Sequence, residues 1–364
     1  MQNKLLIFIP SIEDGGVEKN LFLLSNYFSK KINKVEILTC NYNYKYLFNK
    51  KIKFSGTRSS FFFNRNRYVK YLVCLFKLSL NIIRDRNVTV FAFQANIYAI
   101  IVSKLLGIKI ITRSNSAPQG WSKNYLKQFI FRFLLRRADS IIVNSKEFKK
   151  EMDKRYKINT NFIYNPFDVK FIKKKIKKKI NFNFYKKKSL NIISIGRLTE
   201  QKDHLTLLRA FSLVVKKLNA KLLIIGKGKL KNCLQDFILI NNLSDHVKLL
   251  GYSKNPYNFI KTADIFILSS KFEGLPNVLL EAQFLKKYII STDCPTGPKE
   301  ILLNGKAGDL FSVGDHIKLS KIILNYNYRS KKIKKKINLG LKKFYRFDMN
   351  KNCLKYLNIL NKYI

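Results

Sequence analysis

Short apolar runs alternate with longer amphipathic stretches along most of the chain. Residues 5–9, 35–39, 88–93, 108–112, 140–143 and 162–164 have the length and apolar content of strands. Between several of them, apolar positions recur at helical spacing over residues 17–29, 67–84, 97–106 and 123–137. Strands alternating with helices are the rhythm of a parallel sheet covered on both faces. The rhythm breaks at Asn165-Pro166, crosses a lysine-rich stretch and restarts. Residues 190–195, 221–225, 247–250, 265–268 and 288–291 then read as strands, separated by helical patterns over 203–218, 230–241, 256–261 and 277–285. Residues 330–364 read as helical and basic. The pattern predicts an α/β protein of two doubly wound domains, residues 1–165 and 189–345, facing a cleft. A basic connector, 166–188, joins them, and a last helix within 346–364 returns to the first domain. Ligands of open parallel sheets bind beyond the carboxyl ends of the strands, so chemistry is expected in the loops directly after strands.

The length of 364 residues suits two domains, and 46% hydrophobic residues with 29 Phe and 19 Tyr exclude a disordered chain. Charge complicates the picture. Lys and Arg number 71 against 22 Asp and Glu, a formal +49. Three readings compete: binding to nucleic-acid phosphates, attraction to an anionic membrane surface, and a bias toward the residues of AT-rich codons. The connector carries Lys173-Lys174-Lys175, Lys177-Lys178-Lys179 and Lys186-Lys187-Lys188, and such a run is ordinarily a solvated surface segment. Cys40, Cys74, Cys233, Cys294 and Cys353 are scattered with no CxxC pair, which fits a reducing cytoplasm and neither a disulfide frame nor a zinc site. The first apolar run is too short for a signal-peptide core, and Pro10 ends it. The longest uncharged stretch, 87–103, carries Asn and Gln and reads as strand then helix, not as a membrane span. A soluble or peripheral protein is expected.

Four strand-end segments carry candidate chemistry. Gly15-Gly16 after the first strand lets backbone approach a ligand, with a helix N-terminus behind it to receive an anion; a plain glycine turn is equally open. Spacing of GxGxxG type is absent, so a dinucleotide fingerprint is not supported. In Gly196-Arg197-Leu198-Thr199-Glu200-Gln201-Lys202-Asp203, Arg197 and Lys202 can converge on one phosphate, the first as a planar fork and the second as a point charge. Gly226 and Gly228 form another turn, either a close approach to a nucleotide or a simple tight turn. The richest segment is Ser269-Ser270-Lys271-Phe272-Glu273-Gly274-Leu275-Pro276-Asn277-Val278-Leu279-Leu280-Glu281-Ala282. Gly274 permits a tight approach, Pro276 suits a helix start, and the helix end over Leu275, Asn277 and Val278 would face a diphosphate. Glu281 is a candidate acceptor for ribose hydroxyls, with a favourable first-turn acid as the bland alternative. That alternative leaves Glu273 unexplained.

These segments resemble the signature of retaining glycosyltransferase family 4, the group 1 glycosyltransferases of GT-B fold. The pair Glu273 and Glu281 in EGLPNVLLEA carries the resemblance. The Gly15-Gly16 loop, Asn165-Pro166-Phe167-Asp168, GRLTEQKD, GKGKL and the stretch from Ser291 to Glu300 follow in the family's order, over nearly the whole chain. The resemblance implies two Rossmann-like domains and a nucleotide-sugar donor held mainly by the second. It implies that Arg197 and Lys202 hold the donor diphosphate, Glu281 binds the ribose, and Glu273 sits near the transferred sugar. The Gly15-Gly16 loop would reach the phosphates and acceptor. Transfer would keep the anomeric configuration through a loose oxocarbenium-like transition state, with no metal or other cofactor, because Arg, Lys and a helix dipole neutralise the leaving phosphate.

One departure concerns a first-domain His that many members place near the reacting sugar. This chain has only His204, His246 and His316, all in the second domain and read as surface or loop residues without a role. The matching region holds Arg113, Ser114, Asn115 and Ser116, so either Arg113 and its neighbours serve that site by hydrogen bonding or the donor phosphate acts as base. The stretch from Asp293 to Glu300 is similar to that of bacterial surface-glycan enzymes. A UDP-sugar donor, a hexosyl or N-acetylhexosaminyl group, and a saccharide or polyprenyl-diphosphate-linked saccharide acceptor are therefore expected, at the inner face of the cytoplasmic membrane. Membrane contact has two candidate segments: the aromatic, basic stretch 121–137, otherwise a core helix, and Phe61-Phe62-Phe63 with Arg65 and Arg67. Two other classes stand against this reading. A UDP-sugar epimerase of the same fold fits EGLPNVLLEA and GRLTEQKD less well. A nucleic-acid-binding protein lacks any recognisable binding module here and would carry carboxylates that repel phosphates.

Overall fold

The computed structural model describes residues 4–13, 15–56, 66–115, 118, 124–177, 182–185, 188–327 and 329–364. The chain divides into two compact units, residues 1–166 with 347–364, and residues 167–346.

The first unit contains β1 (Lys4–Phe8), α1 (Gly16–Phe28), β2 (Val35–Thr39), β3 (Lys53–Gly56), α2 (Arg67–Arg84), β4 (Val88–Ala92), α3 (Asn96–Leu105), β5 (Lys109–Arg113), α4 (Tyr125–Leu135), β6 (Ser140–Val143), α5 (Lys146–Tyr156) and β7 (Asn161–Phe162). Its parallel sheet runs β3-β2-β1-β4-β5-β6-β7. Strands such as Lys4–Phe8 are buried almost throughout, as strands covered on both faces must be. One apolar layer joins the sheet to Leu21, Leu24 and Phe28 of α1. The other joins it to α2, α3, α4 and α5 through Leu78, Ile100, Leu135 and Met152.

The second unit contains α6 (Val169–Lys175), β8 (Leu190–Ile195), α7 (His204–Val215), β9 (Ala220–Ile225), α8 (Lys231–Ile240), β10 (Val247–Gly251), α9 (Tyr257–Thr262), β11 (Ile265–Leu268), α10 (Asn277–Phe284), β12 (Tyr288–Thr292), α11 (Pro298–Ile301), β13 (Asp309–Phe311), α12 (His316–Leu324) and α13 (Lys331–Lys342). Its parallel sheet runs β10-β9-β8-β11-β12-β13. A final helix, α14 (Met349–Leu360), belongs to the first unit and buries Cys353, Tyr356 and Leu360 in the α1 layer.

The basic stretch is not uniformly a solvated connector. Asp168 accepts from the Phe171 amide at 2.9 Å and starts α6, which buries Ile172. Scarce acids serve as caps elsewhere too: Asp203, Asp315 and Asp348 each accept from a first-turn amide of α7, α12 and α14. Residues 61–65 and 121–123, within the two candidate membrane segments, lie outside the described residues, as do 178–181 and 186–187 of the lysine runs.

Candidate active site

In the second sheet the chain leaves β8 toward β9 and β10 on one side, then returns to build β11, β12 and β13 on the other. The switch point lies between β8 and β11, where the loops after the two strands part. Those loops are residues 196–203 and 269–276, so GRLTEQKD and EGLPN flank the switch point.

Hydrogen bonds join them. Gln201 Nε2 donates to the Phe272 carbonyl at 2.9 Å, the Lys271 amide donates to the Gln201 carbonyl at 2.8 Å, and Ser269 Oγ donates to the Lys202 carbonyl at 3.0 Å. The loop after β12 closes the other side: the Glu273 amide donates to Pro295 O at 2.7 Å, and the Thr296 amide to Glu273 O at 3.2 Å. Lys202 Nζ pairs with Glu273 Oε1, which also receives Ser270 Oγ at 2.7 Å. Two residues predicted from separate motifs thus share one ion pair, with Glu273 only 6% exposed. Burial and the nearby Glu273 charge push the neighbouring Cys294 thiol up to about 12, so Cys294 stays a neutral core thiol.

Arg197 is exposed at the turn, with Nη2 3.3 Å from Gln201 Oε1. Gly274 and Leu275 are buried, Pro276 is the residue before α10, and Asn277 and Val278 are its first two, half-buried residues. Glu281 is the fifth residue of α10 and 2% exposed. It lies beyond the first turn, which removes the helix-end charge account of it.

Gly226 and Gly228 make a close approach to the protein's own backbone. A Cβ at Gly226 would lie 1.8 Å from the Gly196 carbonyl oxygen, and one at Gly228 2.3 Å from that of Leu198. The turn after β9 is therefore pressed against the turn after β8, and the Leu198 amide bonds the Lys227 carbonyl at 2.9 Å. These glycines shape the Arg197 turn through the protein's own backbone.

In the first unit Gly15 precedes α1 and Gly16 begins it. Glu18 is folded back over this loop: its Oε1 lies 3.3 Å from the Glu13 amide, and its Oε2 would stand 2.7 Å from a Cβ at Gly15. A carboxylate already occupies the neighbourhood where sequence reading places an anion. Arg113 ends β5, 1% exposed, with Nε donating to Tyr356 Oη at 2.9 Å and Nη2 to Asn165 Oδ1 at 2.7 Å. Such a guanidinium braces the strand end against α14 and is not open to a reacting sugar.

His204 corrects the surface reading of the histidines. It is the first residue of α7 and 3% exposed, and burial together with the Lys202 charge pulls its imidazole down to about 4. Sequence reasoning also assigned nothing to Ser270, Gln201 and Thr296. Their strand-end positions were the available signal, but cross-loop partners have no local trace. Among the described residues, no group of three or more His, Cys, Asp or Glu is placed to hold a metal ion, and no helix is long and apolar enough to cross a membrane.

Two parallel-sheet units of this kind, the second with its polar loops gathered at the switch point, define the GT-B fold. The UDP and glucose complex of Anabaena Alr3699/HepE has a TM-score of 0.79 to this chain at 17% identity, covering 99% of this chain and 100% of that one. Family models for glycosyltransferase family 4 and glycosyl transferases group 1 match residues 14–171 and 173–337 respectively, and the chain belongs to this family. It is 41% identical to an uncharacterized glycosyltransferase, MJ1059, of Methanocaldococcus jannaschii, over 47% of this chain and 44% of that protein. It is 28% identical to an N-acetylgalactosamine-N,N'-diacetylbacillosaminyl-diphospho-undecaprenol 4-alpha-N-acetylgalactosaminyltransferase of Campylobacter jejuni, over 97% of this chain and 99% of that one.

Proposed function

We propose that the protein is a retaining glycosyltransferase of bacterial surface-polysaccharide synthesis, such as that of O-antigen, capsule or lipooligosaccharide. It moves a hexose or N-acetylhexosamine from a UDP-sugar to a saccharide carried on polyprenyl diphosphate. The observation that carries this reading is the Lys202–Glu273 pair within hydrogen-bonded loops at the switch point of the second sheet. In it, Arg197 and Lys202 neutralise the donor diphosphate, aided by the start of α10 from Gly274 to Val278. Glu281 accepts the ribose hydroxyls. Glu273, fixed by Lys202 and Ser270, lies near the transferred sugar. Gly226 and Gly228 hold the Arg197 turn in place, and Arg113 is a positioning residue. No metal takes part. The lipid-linked acceptor is suggested by the Campylobacter relative's diphospho-undecaprenol substrate, and on this reading the protein works at the anionic inner face of the cytoplasmic membrane.

Thermal unfolding with UDP, GDP and ADP, each with and without EDTA, tests the donor site. A ligand at a hundredfold excess over its Kd adds about 2.7 kcal/mol. UDP is expected to raise the Tm with EDTA present, and Glu281→Ala to abolish the shift. Glu273→Gln is expected to keep the shift and to lower kcat for transfer on the order of a hundredfold or more, the scale of one lost electrostatic contact. No shift with any nucleotide in a folded sample rules the donor site out.

A further inference from the structure

A solvated helix ordinarily turns polar side chains outward, and α2 does the reverse. Its inner side is ordinary, with Cys74, Leu78 and Ile82 buried against the first sheet. Its outer side carries Tyr68, Leu72, Phe76, Leu80 and Ile83, spaced so that all five fall on one arc. Leu72 is 70% and Phe76 67% exposed, far more than scattered surface apolar residues need. The stripe continues onto its neighbours. Helix α2 packs beside α3, and α3 beside α4. Tyr71 of α2 and Tyr98 of α3 meet with ring centres 6.4 Å apart, and Tyr98 is itself exposed. On α4, Leu126, Phe129 and Phe133 point outward, and only Leu135 is fully buried. Three adjacent helices thus present one apolar, aromatic surface.

Charge selects the partner. The three helices contain no Asp or Glu, while Arg67, Lys77, Arg84, Lys127 and Arg132 lie along them. Arg137, just past α4, stacks 4.9 Å from the Phe133 ring centre. A second copy of this face would set cations against cations. Nucleic acid would satisfy the cations but leave the aliphatic stripe of Leu72, Leu80 and Ile83 without a role. Anionic lipid headgroups over an acyl boundary satisfy both halves, since basic side chains reach phosphates while apolar rings and chains enter the interface. We infer that the outer surface of α2, α3 and α4 docks the protein flat on an anionic bilayer. The inference rests on the membrane-side placement proposed above and names the surface that achieves it, with α2 as its main element.

Flotation of the full chain with phosphatidylcholine vesicles, with and without phosphatidylglycerol, tests this. The wild type is expected to float with the anionic vesicles, and Leu72→Glu/Phe76→Glu to bind them about tenfold or more weakly with an unchanged Tm. If that variant misfolds, the milder Leu72→Ser/Phe76→Ser takes its place. Equal binding by wild type and variant overturns the inference and moves docking to other basic segments such as α13. A wild-type dimer in sedimentation that the variant abolishes overturns it in favour of self-association. The UDP shift, read on the same samples, keeps the two readings apart: docking without a nucleotide response ends the UDP-transferase reading, and a response without docking ends this one.

Discussion

His204 enters the core of the second unit as the first residue of α7, and burial there holds its folded pKa near 4. An unfolded His titrates near about 6.5. The unfolded chain therefore binds a proton more readily between these values. The neutral buried imidazole stabilises the fold fully above the unfolded value, and that contribution is lost as pH falls toward the folded one. Between pH 7.5 and 5 the loss is about 2 kcal/mol. Denaturant unfolding at the two pH values is expected to show that extra loss in the wild type and not in His204→Gln, whatever the variant's absolute stability. Equal pH slopes would mean that His204 is not held neutral. The same residue marks the boundary of what sequence could tell. Lys202 and Glu273 were legible because each lies in the loop that follows an apolar strand, and chemistry in a parallel sheet collects there. His204 lies one residue from the same motif, yet its burial depends on the packing of α7, which no neighbouring residue encodes. Ser270 was visible in the strand-end segment, but its bond to Glu273 arises only when the loop folds. Arg113 was legible at a strand end, but its partners Tyr356 and Asn165 were not, because they stand 243 and 52 positions away in the chain.

At the scale of elements, strands with strong apolar runs were legible nearly to the residue. The runs 35–39, 190–195 and 265–268 coincide with β2, β8 and β11. Those missed were the edge strands β3 and β13, four and three residues long, whose partly exposed residues carry no apolar run. Helix α5 was missed because KEFKKEMDKRY buries only Phe148, Met152 and Tyr156 in a strongly polar sequence. Glycine turns were legible as turns, while what they approach was not. The Gly226 and Gly196 turns are pressed together tightly enough that a methyl group at Gly226 meets a backbone oxygen, which cannot rotate away as a side chain can. Overpacking of this kind costs about 1–3 kcal/mol. Gly226→Ala is expected to lower stability by that amount in denaturant unfolding and to weaken nucleotide binding by displacing the Arg197 turn. A variant of full stability would show that the β9 turn can retreat from the β8 turn, and with it that Gly226 is not what holds Arg197 in place.

For the whole molecule, the excess of cations works on stability and on recognition in opposite directions. The formal charge is +49, and several of the 22 acids are already engaged. Asp168, Asp203, Asp315 and Asp348 cap helices, while Glu36, Asp139 and Asp309 pair with lysines. The 71 cations exceed the 22 carboxylates by 49, and the compact state bears the repulsion of that excess at low ionic strength. Repulsion between exposed charges fades once the screening length falls to about 10 Å, near 0.1 M salt. Sodium chloride is therefore expected to raise the Tm between low salt and about 0.3 M, a range over which surface charge is increasingly screened. The attraction of the same cations for a diphosphate donor and for anionic vesicles is screened by the same ions, so both affinities are expected to fall over that range. Chloride suits the test because strongly salting-out anions stabilise apolar burial by a separate route. Tm, nucleotide affinity and vesicle binding, measured along one salt series, separate the terms. A Tm that fell together with both affinities would mean that ion pairs such as Lys336–Asp309 outweigh the lysine repulsion, and that the net charge is already balanced within the fold.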